Sequence, residues 1–283
     1  MTNHLLIIDP QNDFCDLPPA WCPATPQGVS LAPALAVPGA HADMQRLAAL
    51  IDAAGEAFAD ITLTLDSHQH LDIGHPGFWR DEQGAMPAAF TQVSAADVRA
   101  GRFAPRWPAE RERVLRYLDT LEAAGRYTHM IWPVHCEIGS WGQGVHAGLL
   151  AAVNAWEDRL GRNAARLCKG LNPWTEHYSA VRAEVPDEAD PATAGNPELL
   201  ARLAGAARIY VAGEAGSHCV KATVEHLAEH FASALERFVL IQDCISPVSG
   251  FEAQQNSFFA AMRARGMRVM TAAEAQVALR ATV

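Results

Sequence analysis

A continuous apolar run near the start of the chain, Leu5 to Ile8, ends in the carboxylate of Asp9. Such a run is typical of a strand at the centre of a parallel sheet that helices cover on both faces. Five later segments are predicted to be strands: 61–66, 165–169, 209–212, 238–243 and 267–270. Segments with helical spacing alternate with them: 42–54, 110–124, 145–160, 198–203, 218–229 and 252–265. This alternation predicts an α/β fold of three layers, α/β/α, with a mainly parallel sheet and right-handed crossovers.

The alternation of strands and helices is interrupted after the second predicted strand. Residues 80–108 contain no regular pattern of either kind, and a helix is predicted only at 110–124. A chain of 283 residues is long enough to bury a full core in one large domain. We therefore predict a single domain over 1–283 with an insertion at about 80–127.

The composition is that of a soluble globular protein, with 49% hydrophobic and 19% charged residues. A formal charge of −10 argues against a nucleic-acid-binding protein, which normally carries a basic face. No apolar run reaches the roughly 18 residues that span a bilayer, and the N-terminus leads directly into a strand without a signal peptide. The six cysteines are scattered, as is typical of reduced thiols. We expect a cytoplasmic protein.

Polar residues follow four of the predicted strands. Asp9, Asp66 and Lys169 each end a strand, and the turn 214–219 follows another. In open parallel sheets, ligands bind beyond the carboxyl ends of the strands, where the strand order reverses. The sequence therefore predicts a functional site at this edge of the sheet.

Cys219 is predicted to lie in the first turn of a helix, after a strand and a turn of small residues. The positive end of the helix dipole and unpaired backbone N–H groups lower the pKa of a thiol there. Lys169 could hold the thiolate as an ion pair, and Asp9 could move its proton. A lone cysteine more often only packs in a core, and a strand-end Asp or Lys is more often a cap or a solvated side chain. The three together favour a nucleophile.

A second group of residues is suited to a metal ion. Residues i and i+2 at a strand end face the same way, so Asp66 and His68 could share one cation. His70, His75 and the distant His135 could complete an open site for Zn²⁺, Fe²⁺ or Mn²⁺. From spacing alone, a polar loop remains an alternative.

The sequence resembles the nicotinamidase-type members of the isochorismatase-like cysteine hydrolases. The matching segments run in the family's order through most of the predicted core: LLIIDPQNDFCD (5–16), TLDSHQHLDIGHPGFW (64–79), WPVHC (132–136), KG and EHYSA within 169–180, and VAGEAGSHCVKAT (211–223). The resemblance implies that fold and a catalytic triad of Asp9, Lys169 and Cys219.

The same resemblance implies roles for further residues. Asp66, His68 and His135 correspond to the family's metal ligands, and His75 corresponds to a further histidine at the metal. Phe14 and Trp132 correspond to the aromatic walls around the substrate ring. In the family a cis peptide bond precedes the position of Ala215, and the backbone N–H groups of Ala215 and Cys219 form the oxyanion hole.

The implied activity is that of a metal-containing amidohydrolase. It would convert a small heteroaromatic primary amide through a Cys219 thioester, with nicotinamide to nicotinate and ammonia, a step of NAD salvage, as the first expectation. Zinc is the expected metal, with iron or manganese as alternatives, and a homo-oligomer is possible. The sequence departs from the family at Glu214, Ser217 and His70 and in the insertion. A hydrolase for a ureido or carbamoyl substrate, or a non-catalytic binding protein on the same scaffold, is therefore kept as an alternative.

Overall fold

The computed structural model of the chain describes residues 2–281. In chain order, its strands are β1 (Asn3–Ile8), β2 (Phe58–Asp66), β3 (Trp79–Asp81), β4 (Thr91–Gln92), β5 (Phe103–Pro105), β6 (Met130–Ile131), β7 (Ala165–Lys169), β8 (Arg208–Gly213), β9 (Phe238–Ile241) and β10 (Arg268–Met270). The helices are α1 (Ala40–Ala54), α2 (Ala95–Arg99), α3 (Arg111–Ala124), α4 (Ala147–Leu160), α5 (Pro197–Ala204), α6 (Cys219–His230), α7 (Glu252–Ala264) and α8 (Ala272–Arg280). Within this described part, no helix is both long and apolar enough to cross a membrane.

The central sheet has six parallel strands in the order β10-β9-β8-β1-β2-β7. Every residue of β1 is buried, so helices have to cover both faces of the sheet. On one face α1 contacts α4 and α8. Right-handed crossovers place α5, α6 and α7 on the other face, because the chain then runs across the sheet in the opposite direction. The predicted three-layer α/β/α fold is confirmed.

The strand order reverses next to β1. The chain passes from β1 to β2 and on to β7 at one edge, and then returns to β8 on the other side of β1. Adjacent strands that leave the middle of a sheet in opposite directions form a crevice at their carboxyl ends. The crevice between β1 and β8 is therefore the place in this fold where a ligand site is expected.

The insertion has a small hydrophobic core of its own. It contains α2 and α3, and two antiparallel pairs form in this region: β3 with β5, and β4 with β6, which follows the insertion. The buried residues of this second core come from the insertion and from segments on either side of it: Ile73, Phe78, Trp79, Val93, Ala95, Val98, Val114, Leu115, Tyr117, Leu118, Leu121 and Ile131. Because this core extends past both predicted boundaries, the insertion packs with its flanking segments. That the whole chain forms one domain stays a prediction.

The elements differ from the sequence-based expectation in a few places. The strand expected at 238–243 ends at Ile241, and a 3₁₀ turn follows at Gln242–Cys244. Helices α2 and α8 and the short antiparallel strands were not expected from the sequence. Most of these pieces are only two to five residues long, which is too short for a periodic pattern to show.

Candidate active site

The four polar features predicted at strand ends meet in the structure. Asp9 follows β1, Asp66 ends β2, Lys169 ends β7, and Cys219 begins α6 directly after the turn that leaves β8. Carboxylate oxygens of Asp9 and Asp66 and the Sγ of Cys219 lie within 4.8 Å of one another, and all three residues are buried. The fold thus brings together residues that are up to 210 positions apart, because their strands are neighbours in one parallel sheet.

Asp9 is completely buried and held by two contacts. Thr64 donates its hydroxyl to Asp9 Oδ1 at 2.6 Å, and Asp9 Oδ2 lies 2.9 Å from Lys169 Nζ. Its backbone has a φ of 43°, in the left-handed region that Asp tolerates better than most residues. Burial raises the pKa of Asp9, although the Lys169 ammonium opposes this. A carboxyl group with a raised pKa is suited to accept a proton and return it.

Lys169 is the cation at the centre of the group. Its Nζ lies 2.9 Å from Asp9, 3.0 Å from Asp66 Oδ1 and 3.6 Å from Cys219 Sγ. It also donates to the carbonyl oxygen of His177 at 2.8 Å. Burial alone lowers the pKa of a lysine, but the two carboxylates outweigh it and hold the pKa of Lys169 well above its ordinary value. Lys169 is therefore an ammonium group at neutral pH.

The thiol of Cys219 differs from the sequence-based expectation. Burial raises the pKa of Cys219 well above its ordinary value, and the nearby carboxyl groups of Asp9 and Asp66 raise it further. The Lys169 ammonium lowers this pKa without reversing the shift. The lowered pKa predicted from the helix N-terminus is wrong, because the cost of desolvating a thiolate here exceeds the gain from its surroundings. Cys219 therefore needs a base to remove its proton.

Two backbone N–H groups beside Cys219 are free to bind an oxygen anion. The peptide bond between Glu214 and Ala215 is cis, as the resemblance implied. Among residues 2–281, neither the Ala215 nor the Cys219 N–H has a hydrogen-bond acceptor, whereas Gly216 N donates to Ser246 and His218 N to Ala215. The turn requires glycine at its start, since a Cβ on Gly213 would lie 2.0 Å from the carbonyl oxygen of Ile8. The geometry is compatible with the predicted oxyanion hole.

The predicted metal ligands lie beside the group formed by Asp9, Lys169 and Cys219. Ring nitrogens of His68, His75 and His135 lie within 4.8 Å of one another in a buried cluster. Asp66 Oδ2 lies 3.1 Å from His68 Nε2 and 3.6 Å from His135 Nε2. His70, in contrast, is 72% exposed and pairs with Glu137 at the surface, so it lies outside the cluster.

The spacing and orientation of these groups fit a divalent metal. Two ligand atoms at 2.0–2.1 Å from a tetrahedral zinc are about 3.3–3.4 Å apart, and the distances from Asp66 to the two histidines bracket this value. His68 turns Nδ1 to Asp72 at 3.2 Å, and His135 turns Nδ1 to the carbonyl of Pro133 at 2.8 Å. Such partners leave Nε2 as the ligand atom. His75 Nδ1 is buried with no hydrogen-bond partner in the described chain.

A narrow cavity opens onto Cys219. We call it the slot, and its walls come from several elements: Phe14, Leu35, Asp66, Trp132, His135, Glu176, Tyr178, Ala215, His218, Cys219 and Val248. Phe14 and Trp132, the predicted aromatic walls, are both among them and both buried. Trp132 donates its indole N–H to the Tyr178 hydroxyl at 3.1 Å, which fixes both rings. The slot therefore offers flat apolar walls next to a thiol and a potential metal site.

Several residues of the site were not singled out from the sequence. Thr64 orients Asp9, and it sits two positions before Asp66 on the same strand, so the period of the strand points to it. Tyr178 is a buried wall of the slot. Glu176 is buried in the slot, and desolvation raises its pKa to about 7. No periodic pattern distinguishes Glu176, because it belongs to an irregular segment.

Glu214 does not line the slot. Its Oε2 accepts from the backbone N–H of Ser246 at 3.2 Å, and its carboxyl group lies beside that of Asp43 in α1. The Ser217 hydroxyl accepts a hydrogen bond from Val248 N and contacts His218 Nδ1, so it supports two residues that line the slot. Neither of these two departures from the family pattern lines the slot.

Comparisons with known proteins give a result for structure but not for sequence. No model of a known protein family matches the chain, and no curated protein matches it. The yeast nicotinamidase Pnc1p bound to the inhibitor nicotinaldehyde is similar in structure, with a TM-score of 0.61 and 18% identity over 95% of this chain and 100% of that one. A pyrazinamidase of Pyrococcus horikoshii in complex with zinc has a TM-score of 0.54 and 18% identity over 96% and 99% of the two chains.

A third similar structure is PnC1 from L. infantum in complex with nicotinate. It has a TM-score of 0.54 and 21% identity, over 96% of this chain and 93% of that one. The TM-scores, over nearly the whole length of both chains, establish a shared architecture despite the low sequence identities. The chain therefore has the fold of the nicotinamidases and pyrazinamidases, as the resemblance in its sequence implied.

Proposed function

We propose that the protein is a cysteine amidohydrolase that deamidates a small heteroaromatic primary amide, with nicotinamide as the first candidate. The observation that carries the proposal is the contact of Lys169 with Asp9 and with Cys219, which lines an aromatic slot. The likeness in fold to nicotinamidases supports the same class of reaction. Asp9, Lys169 and Cys219 form the proposed catalytic triad.

In the first half of the reaction, the thiol of Cys219 attacks the amide carbon. Asp9 accepts the proton from Sγ, and the ammonium of Lys169 stabilises the thiolate as it forms. The N–H groups of Ala215 and Cys219 hold the oxygen of the tetrahedral intermediate. Asp9 returns its proton to the amide nitrogen, and the C–N bond breaks. Ammonia departs, and the acyl group stays on Cys219 as a thioester.

In the second half, water hydrolyses the thioester. Asp9 accepts a proton from the water, whose oxygen attacks the same carbonyl carbon, and the same two N–H groups hold the oxyanion again. The C–S bond breaks, Sγ takes a proton, and the carboxylate product leaves. The raised pKa of Cys219 supports this order of steps. A thiol that is protonated at rest needs a base to remove its proton before the attack, and Asp9 is the base next to it.

A divalent metal is part of the proposal. Asp66, His68, His75 and His135 would hold it, with zinc preferred because two or three imidazoles and a carboxylate suit that ion, and iron or manganese as alternatives. When bound, the metal supplies a Lewis-acid contact that orients the ring nitrogen of the substrate. Phe14 and Trp132 then align the ring between apolar walls, which brings the amide carbon to Cys219.

The setting of the reaction is proposed from the same features. A formal charge of −10 disfavours nucleic acid as a partner. All six cysteines are free thiols, and four of them are buried. Free thiols are usual in a reducing compartment, which supports a cytoplasmic enzyme of NAD salvage acting on a small-molecule amide.

The direct test is ammonia release from nicotinamide by metal-loaded protein, beside the Cys219→Ala variant. The wild type should release ammonia and the variant should not, while both give the same circular dichroism spectrum. The Cys168→Ala variant is the matched control, because Cys168 is an exposed thiol on β7 with no contact to the site. Turnover by Cys219→Ala would exclude the thioester mechanism.

A further inference from the structure

A second cavity lies directly beside the slot. The two cavities share the side chains of Trp132, Tyr178 and His218 as a common wall. The slot encloses only about 20 Å³, and the second cavity, which we call the vestibule, encloses about 230 Å³. The slot therefore has little space for a substituent on an aromatic ring, and the vestibule is a larger space directly beside it.

The insertion builds part of the vestibule. Gln92 and Tyr127, near its two ends, line the cavity together with Arg126. The ring of Tyr127 lies 5.8 Å from that of His218 and 4.7 Å from that of Tyr178. The insertion therefore borders the entrance to the candidate active site and contributes to what can bind there.

The lining of the vestibule is positively charged. Arg126 and Lys221 are among its lining residues, and no Asp or Glu of the described chain is. One acid, Glu225, serves both cations, at 3.2 Å from Arg126 Nη2 and 3.0 Å from Lys221 Nζ, and it does not line the cavity. Glu184 lies 3.8 Å from Arg126 Nε, also outside the lining. The charged side chains that line the vestibule are therefore both cations, and their acidic partners lie outside the lining.

Hydrogen-bond donors without partners accompany the cations. The hydroxyl of Tyr127 is buried and has no hydrogen-bond partner within residues 2–281. A buried hydroxyl without a partner costs free energy that a bound acceptor recovers. The ammonium of Lys221 lies 5.0 Å from the ring centre of Tyr127, and both residues line the vestibule. They are suited to a group with several acceptor oxygens.

Position 221 is one of only two lysines in a chain whose other basic residues are arginines. Of the 22 lysines and arginines in the chain only Lys169 and Lys221 are lysine, and both lie at this site. A lysine is a compact charge with three donors that can rotate, whereas an arginine is a fixed planar fork. A compact ammonium in a small cavity leaves space for a ligand that a guanidinium would fill.

We propose that the vestibule is an outer subsite that binds a carboxylate carried on the ring of the amide substrate, with Lys221 and Tyr127 as its donors. The proposal rests on the proposed function and narrows the substrate to a heteroaromatic amide with an anionic substituent. In this arrangement the amide lies at Cys219, the ring lies in the slot and the carboxylate lies beyond His218.

The test uses nicotinamides that carry a carboxymethyl group at ring carbon 4, 5 or 6, each paired with its neutral acetonyl analogue. For at least one position, the metal-loaded wild type should prefer the carboxymethyl compound in kcat/KM. Lys221→Met should reduce this preference by about tenfold, mainly through KM, since a hydrogen bond to a charged group contributes about 1.5–3 kcal/mol. Arg113→Met, which removes a cation from a separate surface groove, should leave the preference as in wild type.

The outcomes separate the subsite from the reaction. If the ratio of kcat/KM for charged and neutral compounds is the same in wild type and Lys221→Met at every position, the subsite is refuted, while hydrolysis of nicotinamide still supports the proposed function. If no amide is hydrolysed, the proposed function fails. The subsite is then tested by the binding of carboxymethyl-nicotinamide alone.

Binding is measured by how far the compound protects Lys221 from chemical modification, which is practical because the chain contains only two lysines. An amine-reactive N-hydroxysuccinimide ester can modify only Lys169, Lys221 and the N-terminal amine of this chain, and the Lys221 side chain is 19% exposed against 2% for Lys169. Carboxymethyl-nicotinamide should protect Lys221 from the ester by at least threefold, with the N-terminal amine as internal reference. Equal labelling with and without the compound, or equal protection by the acetonyl analogue, overturns the proposal.

Discussion

The ammonium nitrogen of Lys169 lies 3.6 Å from the sulfur of Cys219, across 50 positions of sequence. The same nitrogen contacts the carboxyl groups of Asp9 and Asp66, so one charge serves both the proposed nucleophile and the proposed base. All of these groups are buried, where a charge interacts more strongly with its neighbours than in water. The reactivity of the site should therefore depend on this ammonium more than on any other charge near Cys219.

Lys169→Met should remove both activity and stability. The substitution leaves two buried carboxyl groups without their cation, and breaking such a pair costs about 3–5 kcal/mol. The developing thiolate also loses its partner, so kcat for nicotinamide should fall by about 100-fold or more. Urea unfolding and ammonia release measure the two effects. Lys169→Arg should recover stability better than turnover, because the charge returns in a different shape. Undiminished kcat in Lys169→Met would contradict the role of the ammonium.

Asp9→Asn should abolish proton transfer while keeping the shape of the side chain. General acid–base groups contribute about 10²–10⁴-fold, so kcat should fall within that range. Thr64→Val is the matched variant, because it keeps the Asp9 carboxyl group and removes the hydroxyl that donates to Asp9 Oδ1 at 2.6 Å and accepts from Asp9 N at 3.1 Å. Its loss should be about tenfold, in line with one hydrogen bond to a charged group. Steady-state ammonia release ranks the two variants, and a larger loss in Thr64→Val than in Asp9→Asn would reverse the assignment.

The positions that the sequence predicted correctly share one physical cause. Asp9, Asp66 and Lys169 end apolar or β-branched runs, and Cys219 follows another. Runs of this kind form local strands, and a parallel sheet places the carboxyl ends of its strands at one edge. Local patterns therefore suffice to gather these residues, even though their contacts are far apart in sequence.

The features that the sequence did not predict depend on packing between distant segments. Tyr127 and Gln92 reach the entrance only because the second core folds the insertion back toward β6. The raised pKa of Cys219 follows from its complete burial, which no local pattern reports. Helix α8 is an exception, since its capping box of Thr271 and Glu274 is visible in the sequence.

The proposed metal site gives a comparison between two histidines of one loop. His75→Ala should lower the affinity for zinc by about 10–100-fold, the usual cost of losing a group that supports a metal. His70→Ala should retain the wild-type affinity, because His70 is exposed and pairs only with Glu137. Competition with a chromophoric chelator measures both affinities. Equal affinity of the two variants would show that His75 is not part of the metal site.

A buried acid pair that does not line the slot provides a prediction that is independent of catalysis. The buried carboxyl groups of Glu214 and Asp43 are neighbours, and Ser246 donates its backbone N–H to Glu214 and its hydroxyl to Asp43 at 2.6 Å. Arg46 is the cation that contacts Asp43. Burial, and then Asp43, raise the pKa of Glu214 well above its ordinary value of 4.5. Glu214 is therefore a protonated donor in the folded protein.

Glu214→Gln should make the protein less sensitive to rising pH. Because the pKa of Glu214 is higher in the folded state, the folded protein keeps a proton that the unfolded chain releases, and the free energy of unfolding falls as pH rises above about 4.5. An amide keeps a donor for Asp43 and has no proton to lose, so the variant should gain on wild type by up to about 1.4 kcal/mol per pH unit above that point. Urea unfolding at pH values from about 5 to 8 measures this difference. Glu236→Gln, at an exposed position, should follow wild type, and a Glu214→Gln curve parallel to wild type would mean that Glu214 is ionised in the fold.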